Sequence, residues 1–257
     1  MKEESVSVKQ GKKALFYLIV QYQTDKIEAE RTIQMGNGNR GNTMIIKNGL
    51  VFTPEGKFEK KDFYIEGEYV AKETTDNKEV EAEGCYVIPG LVDIHFHGCV
   101  RHDMCDGTEE SIQALADYEA ANGVLAICPA TMTIPEEELF QAMNAAREHK
   151  NGKGADLVGI NMEGPFVNKE KKGAQKEEDI KLADVELFHK LQEAAGGLIK
   201  LVDLAPETEG AMDFINQVKD EVHVSIAHTM ADYDTATEAI NRGVDHITHL
   251  YLSLIHI

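Results

Sequence analysis

Val222-His-Val-Ser-Ile-Ala-His-Thr229 is followed by Asp232-Tyr-Asp-Thr-Ala-Thr-Glu-Ala-Ile-Asn241 and then by Gly243-Val-Asp-His-Ile-Thr-His-Leu-Tyr251. An apolar run, a helical stretch closed by Gly243 and a second apolar run form a strand–helix–strand unit, since glycine readily ends a helix. The C-terminal ends of the two strands carry His228 and His249.

The same rhythm extends back to Tyr86. Strands are predicted at 91–97, 124–129, 157–162, 199–205, 222–227 and 247–251, with helices at 108–121, 135–149, 184–195, 209–219 and 232–241. Pro135 with Glu136, Glu137 and Glu138 is a good helix start, with proline and acids in the first turn. Alternating strands and helices with apolar strands imply an α/β fold with a parallel sheet. Chemistry-bearing residues at the strand ends fit an incomplete (β/α)8 TIM-type barrel of about six units better than an open doubly wound sheet.

Four segments follow. Residues 1–43 read as a non-native or disordered extension, because 35–43 is loop-like and Met44 opens a clean strand pattern. Residues 44–84 form a small β unit, part of an N-terminal β-sandwich, with turns at Asn48-Gly49, Pro54-Glu-Gly56 and Glu66-Gly67. Residues 85–251 are the partial barrel. Residues 252–257, including His256, resemble a translated sequencing-adapter scar and are set aside.

Composition narrows the partners. The formal charge is −19, from 45 acidic against 26 basic residues, which argues against nucleic acid or an anionic membrane. One phosphorylated metabolite remains compatible, because a few local donors can hold one phosphate. Cys85, Cys99, Cys105 and Cys128 contain no C-x-x-C pair and read as reduced thiols. The apolar run 14–20 after Lys12 and Lys13 is too short to span a bilayer, so a cytoplasmic protein is expected.

Five residues carry the chemistry. His95 and His97 lie two apart on a strand and share a face; they make either half of a metal site or a hydrogen-bonded pair. Glu163, after the apolar 157–160 run and before Gly164-Pro165, is costly to bury without a cation or hydrogen bonds. His228 and His249 end their strands, whereas His223 and His246 sit at odd separations from them and face the other way. A carboxylate and two imidazoles, with an open position, are the ligands of a catalytic zinc-type site, which acidifies water and polarises a carbonyl for amide hydrolysis.

Pro89-Gly-Leu-Val-Asp-Ile-His-Phe-His-Gly98, Met162-Glu-Gly-Pro-Phe166, Lys172-Gly-Ala-Gln175, Ala205-Pro-Glu207, Ala227-His-Thr229 and Thr248-His-Leu-Tyr251 together closely resemble the N-acetylglucosamine-6-phosphate deacetylases of the amidohydrolase superfamily. The resemblance implies that Glu163, His228 and His249 hold the principal metal and that Ala174 and Gln175 lie against the sugar. It implies that His95 and His97 can hold a second ion. The cofactor implied is a divalent metal, zinc or iron, one or two ions. The implied reaction is hydrolysis of N-acetylglucosamine 6-phosphate to glucosamine 6-phosphate and acetate by metal-activated water, with an aspartate as base and then acid, in a homodimer.

The chain departs from the family where Leu252-Ser253 replaces an Asn-Ala pair. The family's phosphate-gripping base, a substrate histidine and the catalytic aspartate come later than Tyr251. The chain therefore reads as C-terminally truncated and inactive by itself, without a catalytic residue of its own; Asp232 and Asp245 have the wrong context for that role. Two alternatives stand beside this reading. One is another amidohydrolase, such as a dihydroorotase-like cyclic-amide hydrolase; Lys200 opens its strand rather than ending it, which counts against a bridging lysine. The other is a non-catalytic metal-binding fragment.

Overall fold

The computed structural model describes residues 17–21, 43–66, 69–74 and 78–250. The leading segments 1–16 and 22–42, Gly67 of the third expected turn, and residues 251–257 with Tyr251 and His256 lie outside the described residues. The chain divides into two units. The division falls between Leu91 and Val92, with Ala120–Leu125 and Gly152–Gly154 belonging to the first.

The first unit is one mixed sheet of β1 (Tyr17–Gln21), β2 (Met44–Phe52), β3 (Phe58–Glu66), β4 (Tyr69–Ala71), β5 (Glu79–Glu81) and β6 (Cys85–Pro89). The order is β1-β6-β2-β3-β4, with β5 also on β2. Alternation along β2 buries Met44, Ile46 and Val51, which pack with Phe63, Ile65, Ala82 and Val87. Each such side chain withdrawn from water contributes roughly 1.5–3 kcal/mol. Asn48-Gly49, expected to be a turn, instead sits inside β2 at a register shift against β3. Asn48 has φ 61° and donates its N–H to Asp62 Oδ1 at 3.0 Å. The local kink is a β-bulge that the strand absorbs without reversing. Pro54-Glu-Gly56 does turn, with Gly56 N–H donating to the Thr53 carbonyl at 2.9 Å.

The second unit alternates strands and helices: β7 (Leu91–Asp93), β8 (Gly98–Cys99), β9 (His102–Asp103), α1 (Glu109–Ala121), β10 (Val124–Ile127), α2 (Glu136–Glu148), β11 (Asp156–Leu157), β12 (Ile160–Glu163), α3 (Val185–Ala194), β13 (Ile199–Leu204), α4 (Ala211–Val218), β14 (His223–Ile226), α5 (Tyr233–Arg242) and β15 (His246–Ile247). Strands β12, β13, β14 and β15 are parallel neighbours in that order. A backbone bond from Asn161 N–H to Pro129 joins β12 to the segment after β10. That segment joins β7 and the residues after it through Cys128 N–H to the Asp93 carbonyl and Ala130 N–H to Phe96. The architecture is α/β with consecutive parallel strands.

Helices α3 and α5 begin where short acceptors can satisfy their first N–H groups. Asp184 accepts from the N–H groups of Glu186 and Leu187 at the start of α3. Asp232 accepts from Thr235 at the start of α5, and Gly243 ends that helix. Helix α4 starts two residues later than expected because Gly210 is left-handed, with φ 82°. Its Phe214 is buried against Phe166 and Phe188, with ring centroids 5.2 and 5.7 Å apart. All four cysteines are free. Among the described residues, no helix is long and apolar enough to cross a membrane.

Candidate metal centre

Glu163 is the last residue of β12 and only 1% exposed. Its Oε1 lies 2.8 Å from His228 Nε2 and 3.1 Å from His249 Nε2. The two Nε2 atoms are 3.4 Å apart. His228 follows β14 and His249 follows β15; both have positive φ, 44° and 37°. Side-chain-bearing residues in that region cost about 1–3 kcal/mol and persist where surroundings enforce them. Here the twist turns both rings toward one carboxylate.

The other oxygen faces the first-strand histidines. His97 Nε2 is 3.0 Å from Oε2 and His95 Nε2 is 3.8 Å away. The His97 contact is off the line of a hydrogen bond, so Oε2 is a buried oxygen without a hydrogen-bond partner. The strand predicted at 91–97 ends its ladder at Asp93, because the chain enters the β8–β9 hairpin soon after. The shared-face argument for His95 and His97 therefore does not operate through a regular strand, yet both rings converge, with centroids 5.5 Å apart. Asp93 Oδ1 accepts from His95 N–H at 3.0 Å, and the Asn161 amide nitrogen lies 3.0 Å from His95 Nδ1. One ligand atom each from His95, Glu163 and His249 lie within 4.8 Å of one another.

Electrostatics follow from this packing. Burial alone would raise the Glu163 carboxyl; the imidazoles of His228, His249 and His97 overcome it and hold the acid well below the usual carboxylate range. The same carboxylate raises His228 against the effect of burial. Burial lowers His95. For His97, burial works downward but Glu163 prevails and the net shift is upward.

These residues fit a divalent ion. His228 Nδ1 lies 2.8 Å from the Lys171 carbonyl, which can only accept, so Nδ1 carries the hydrogen. Its Nε2 lone pair then faces a carboxylate oxygen, and a proton or a cation must lie between them. An ion with tetrahedral bonds of about 2.0–2.1 Å spaces its ligand atoms about 3.3 Å apart, close to the separations found here. The Nδ1–carbonyl contact is the second-shell bond that orients a metal-ligating histidine.

The remaining expected residues divide. Gln175 is 2% exposed, and its Oε1 accepts from Thr133 N–H at 2.5 Å; Ala174 beside it is exposed. A Cβ on Gly173 would lie 3.4 Å from His228 Cε1, so this loop runs against the ring. His223 points outward to Asp245, 2.6 Å away. Asp232 is spent as a helix cap. Lys200 is exposed and donates to the Gly197 carbonyl at 2.7 Å, at the opposite end of β13 from Asp203, which excludes it as a bridging ligand of a cyclic-amide hydrolase.

Asp203 went unnoticed in the sequence. It is fully buried beside Glu163 in the β12–β13 register. Its Oδ1 accepts from the Thr248 hydroxyl at 2.8 Å, and the Ser225 hydroxyl lies 2.6 Å from Thr248. Burial first, then the Glu163 charge, push its carboxyl up to about 8, with the Thr248 bond working the other way. The available signal was an acid inside the apolar run 199–205, the same signal that singled out Glu163.

An α/β chain that gathers a carboxylate and several imidazoles at the ends of parallel strands has the plan of a metal-dependent amidohydrolase. The chain is 37% identical over 214 residues to the N-acetylglucosamine-6-phosphate deacetylase of Bacillus subtilis, covering 80% of this chain and 52% of that protein. It belongs to the N-acetylglucosamine-6-phosphate deacetylase family. The enzyme of the same name from Lysinibacillus sphaericus is 29% identical, over 81% of this chain and 56% of that protein. A mutant of N-acetyl-D-glucosamine-6-phosphate deacetylase from Mycobacterium smegmatis, solved with N-acetyl-D-glucosamine-6-phosphate, superposes with a TM-score of 0.72 at 25% identity. That match covers 82% of this chain and 56% of the other. The chain thus spans about half the length of the curated relatives it matches. No protein-family model matches it.

Proposed function

We propose that this chain supplies the metal-holding part of an enzyme that hydrolyses N-acetylglucosamine 6-phosphate to glucosamine 6-phosphate and acetate. The observation that carries the reading is Glu163 Oε1 held between His228 Nε2 and His249 Nε2 at ligand-like spacing, in a chain related to deacetylases of that name. Glu163, His228 and His249 hold the principal ion, zinc or iron. Glu163 Oε2 with His95 and His97 offers a second position.

A divalent ion bound there supplies the Lewis acidity that amide hydrolysis needs. The chain's own residues do the rest. The Lys171 carbonyl fixes which His228 nitrogen faces inward. Gln175, tied to Thr133, holds the 172–175 loop beside the centre, and exposed Ala174 meets the sugar. The parallel strands are six units of an incomplete (β/α)8 barrel, and the first unit belongs to a small β-sandwich. Tyr17–Gln21, inside the segment expected to be a non-native or disordered extension, pair with β6 in the sheet of that first unit. The working protein is a cytoplasmic homodimer acting on a small sugar phosphate.

The reading is tested by titrating the metal-free chain with zinc, then with N-acetylglucosamine 6-phosphate. Tight zinc uptake that Glu163→Gln weakens at least about 100-fold, and sugar-phosphate binding only to the zinc-loaded chain, are expected. Absence of zinc uptake, or uptake indifferent to Glu163, contradicts it. This chain alone is expected to release little acetate; brisk release with zinc, iron or manganese would overturn that point.

A further inference from the structure

His228 is held at φ 44° by bonds that lead to one residue outside the metal set. Its carbonyl accepts from Asn168 N–H at 3.0 Å. Asn168 Oδ1 accepts from Glu170 N–H at 2.8 Å, capping the single helical turn Lys169–Lys171 whose last carbonyl faces His228 Nδ1. The Asn168 amide donates to Glu207 Oε1 at 2.8 Å. On the other side of His228, the Thr229 hydroxyl donates to Glu207 Oε2 at 2.5 Å and Met230 N–H donates to Oε1 at 2.6 Å. Both oxygens of one carboxylate are therefore occupied by residues that flank the histidine in space and in sequence.

We propose that Glu207 is a positioning residue of the metal centre, clamping the 168–171 turn and the 229–230 segment so that His228 Nε2 stays turned to Glu163. The proposal rests on the metal-holding reading of Glu163, His228 and His249. Charge-assisted hydrogen bonds of this kind are about twice as strong as neutral ones. Residues that orient a ligand from outside the first layer typically set metal affinity by 10–100-fold. A glutamine in place of Glu207 keeps the size but brings an amide NH2 against at least one donor, from Asn168, Thr229 or Met230.

The test measures zinc affinity by competition with a chromophoric chelator, alongside metal-free thermal unfolding, in the wild-type chain, Glu207→Gln, Thr229→Val and Thr229→Ser. Glu207→Gln is expected to bind zinc about 10–100-fold more weakly with its metal-free midpoint nearly unchanged. Thr229→Val should show a smaller loss, and Thr229→Ser, which keeps the hydroxyl, should restore wild-type affinity. Wild-type affinity in Glu207→Gln overturns the proposal, as does a loss of affinity that merely tracks lost stability. Should Glu207→Gln fail to unfold cooperatively, Thr229→Val decides, and unchanged affinity there overturns the clamp. A wild-type chain that binds no zinc defeats the metal-holding reading itself, and the clamp with it.

Discussion

The sheet of the first unit and the parallel strands of the second bury different things. In the first, alternation sends Met44, Ile46, Val51, Phe63 and Ile65 inward, and ion pairs such as Lys47–Asp62 at 2.7 Å stay near the surface. In the second, Asn161, Glu163, Asp203, Ser225 and Thr248 are all buried, and all but Asn161 lie in or beyond the C-terminal halves of β12, β13, β14 and β15. Burying such groups is costly unless each finds a partner. A fold that places them together at one end of a sheet is carrying function at some expense of stability. The first unit shows what the same chain looks like without that demand.

The difference can be broken first at the apolar core that offsets the polar cluster. Phe214→Ala removes a ring that is 1% exposed and packed on Phe166 and Phe188. It is expected to cost about 3–5 kcal/mol, read from the urea unfolding midpoint; a cost below about 1 kcal/mol would mean the second unit does not depend on that packing. In the first unit, Gly49→Ala puts a Cβ 2.6 Å from Val87 Cγ2, on a side chain that cannot swing clear. An overpacking cost of about 1–3 kcal/mol is expected, and a neutral substitution would show that β2 and β6 are looser than described.

The most telling effect concerns Asp203. Its carboxyl is pushed up to about 8 from 3.8. Below pH 3.8 the folded and unfolded chains both keep this proton. Above it the unfolded chain releases the proton while the folded chain holds it, so stability falls as pH rises toward 8. In the metal-free protein Asp203→Asn, which has no proton to release, should lose this part of the decline between pH 4 and 8. Unfolding midpoints at pH 5 and pH 8 measure it, and identical pH dependence in the two chains would contradict the assignment.

Much of this was legible in the sequence, for local reasons. The bounds of β2 coincide with the alternating run that opens at Met44, helices α3 and α5 follow Asp184 and Asp232, where capping chemistry says they should, and α2 follows Pro135 without a side-chain cap. The five proposed ligands stood out because each follows an apolar run, where a histidine or an acid is costly to bury without a partner, and the structure brings the four rings to one carboxylate. What stayed hidden depends on partners distant in the chain. Asn48-Gly49 has the composition of a turn, and only the pairing of β2 with β3 makes it a bulge. The 91–97 run ends early because of a hairpin that its own pattern does not announce. Glu207 belongs to a recognisable Ala-Pro-Glu stretch, yet its contacts come from residues 39, 22 and 23 positions away.

X-ray absorption at the zinc edge of the loaded chain tests the central claim most directly. One oxygen and two imidazole nitrogens among the nearest neighbours, at about 2.0–2.1 Å, with one imidazole lost in His228→Ala and in His249→Ala, is the expected result. A spectrum of zinc surrounded by water oxygens alone, or one unchanged by either substitution, would contradict it.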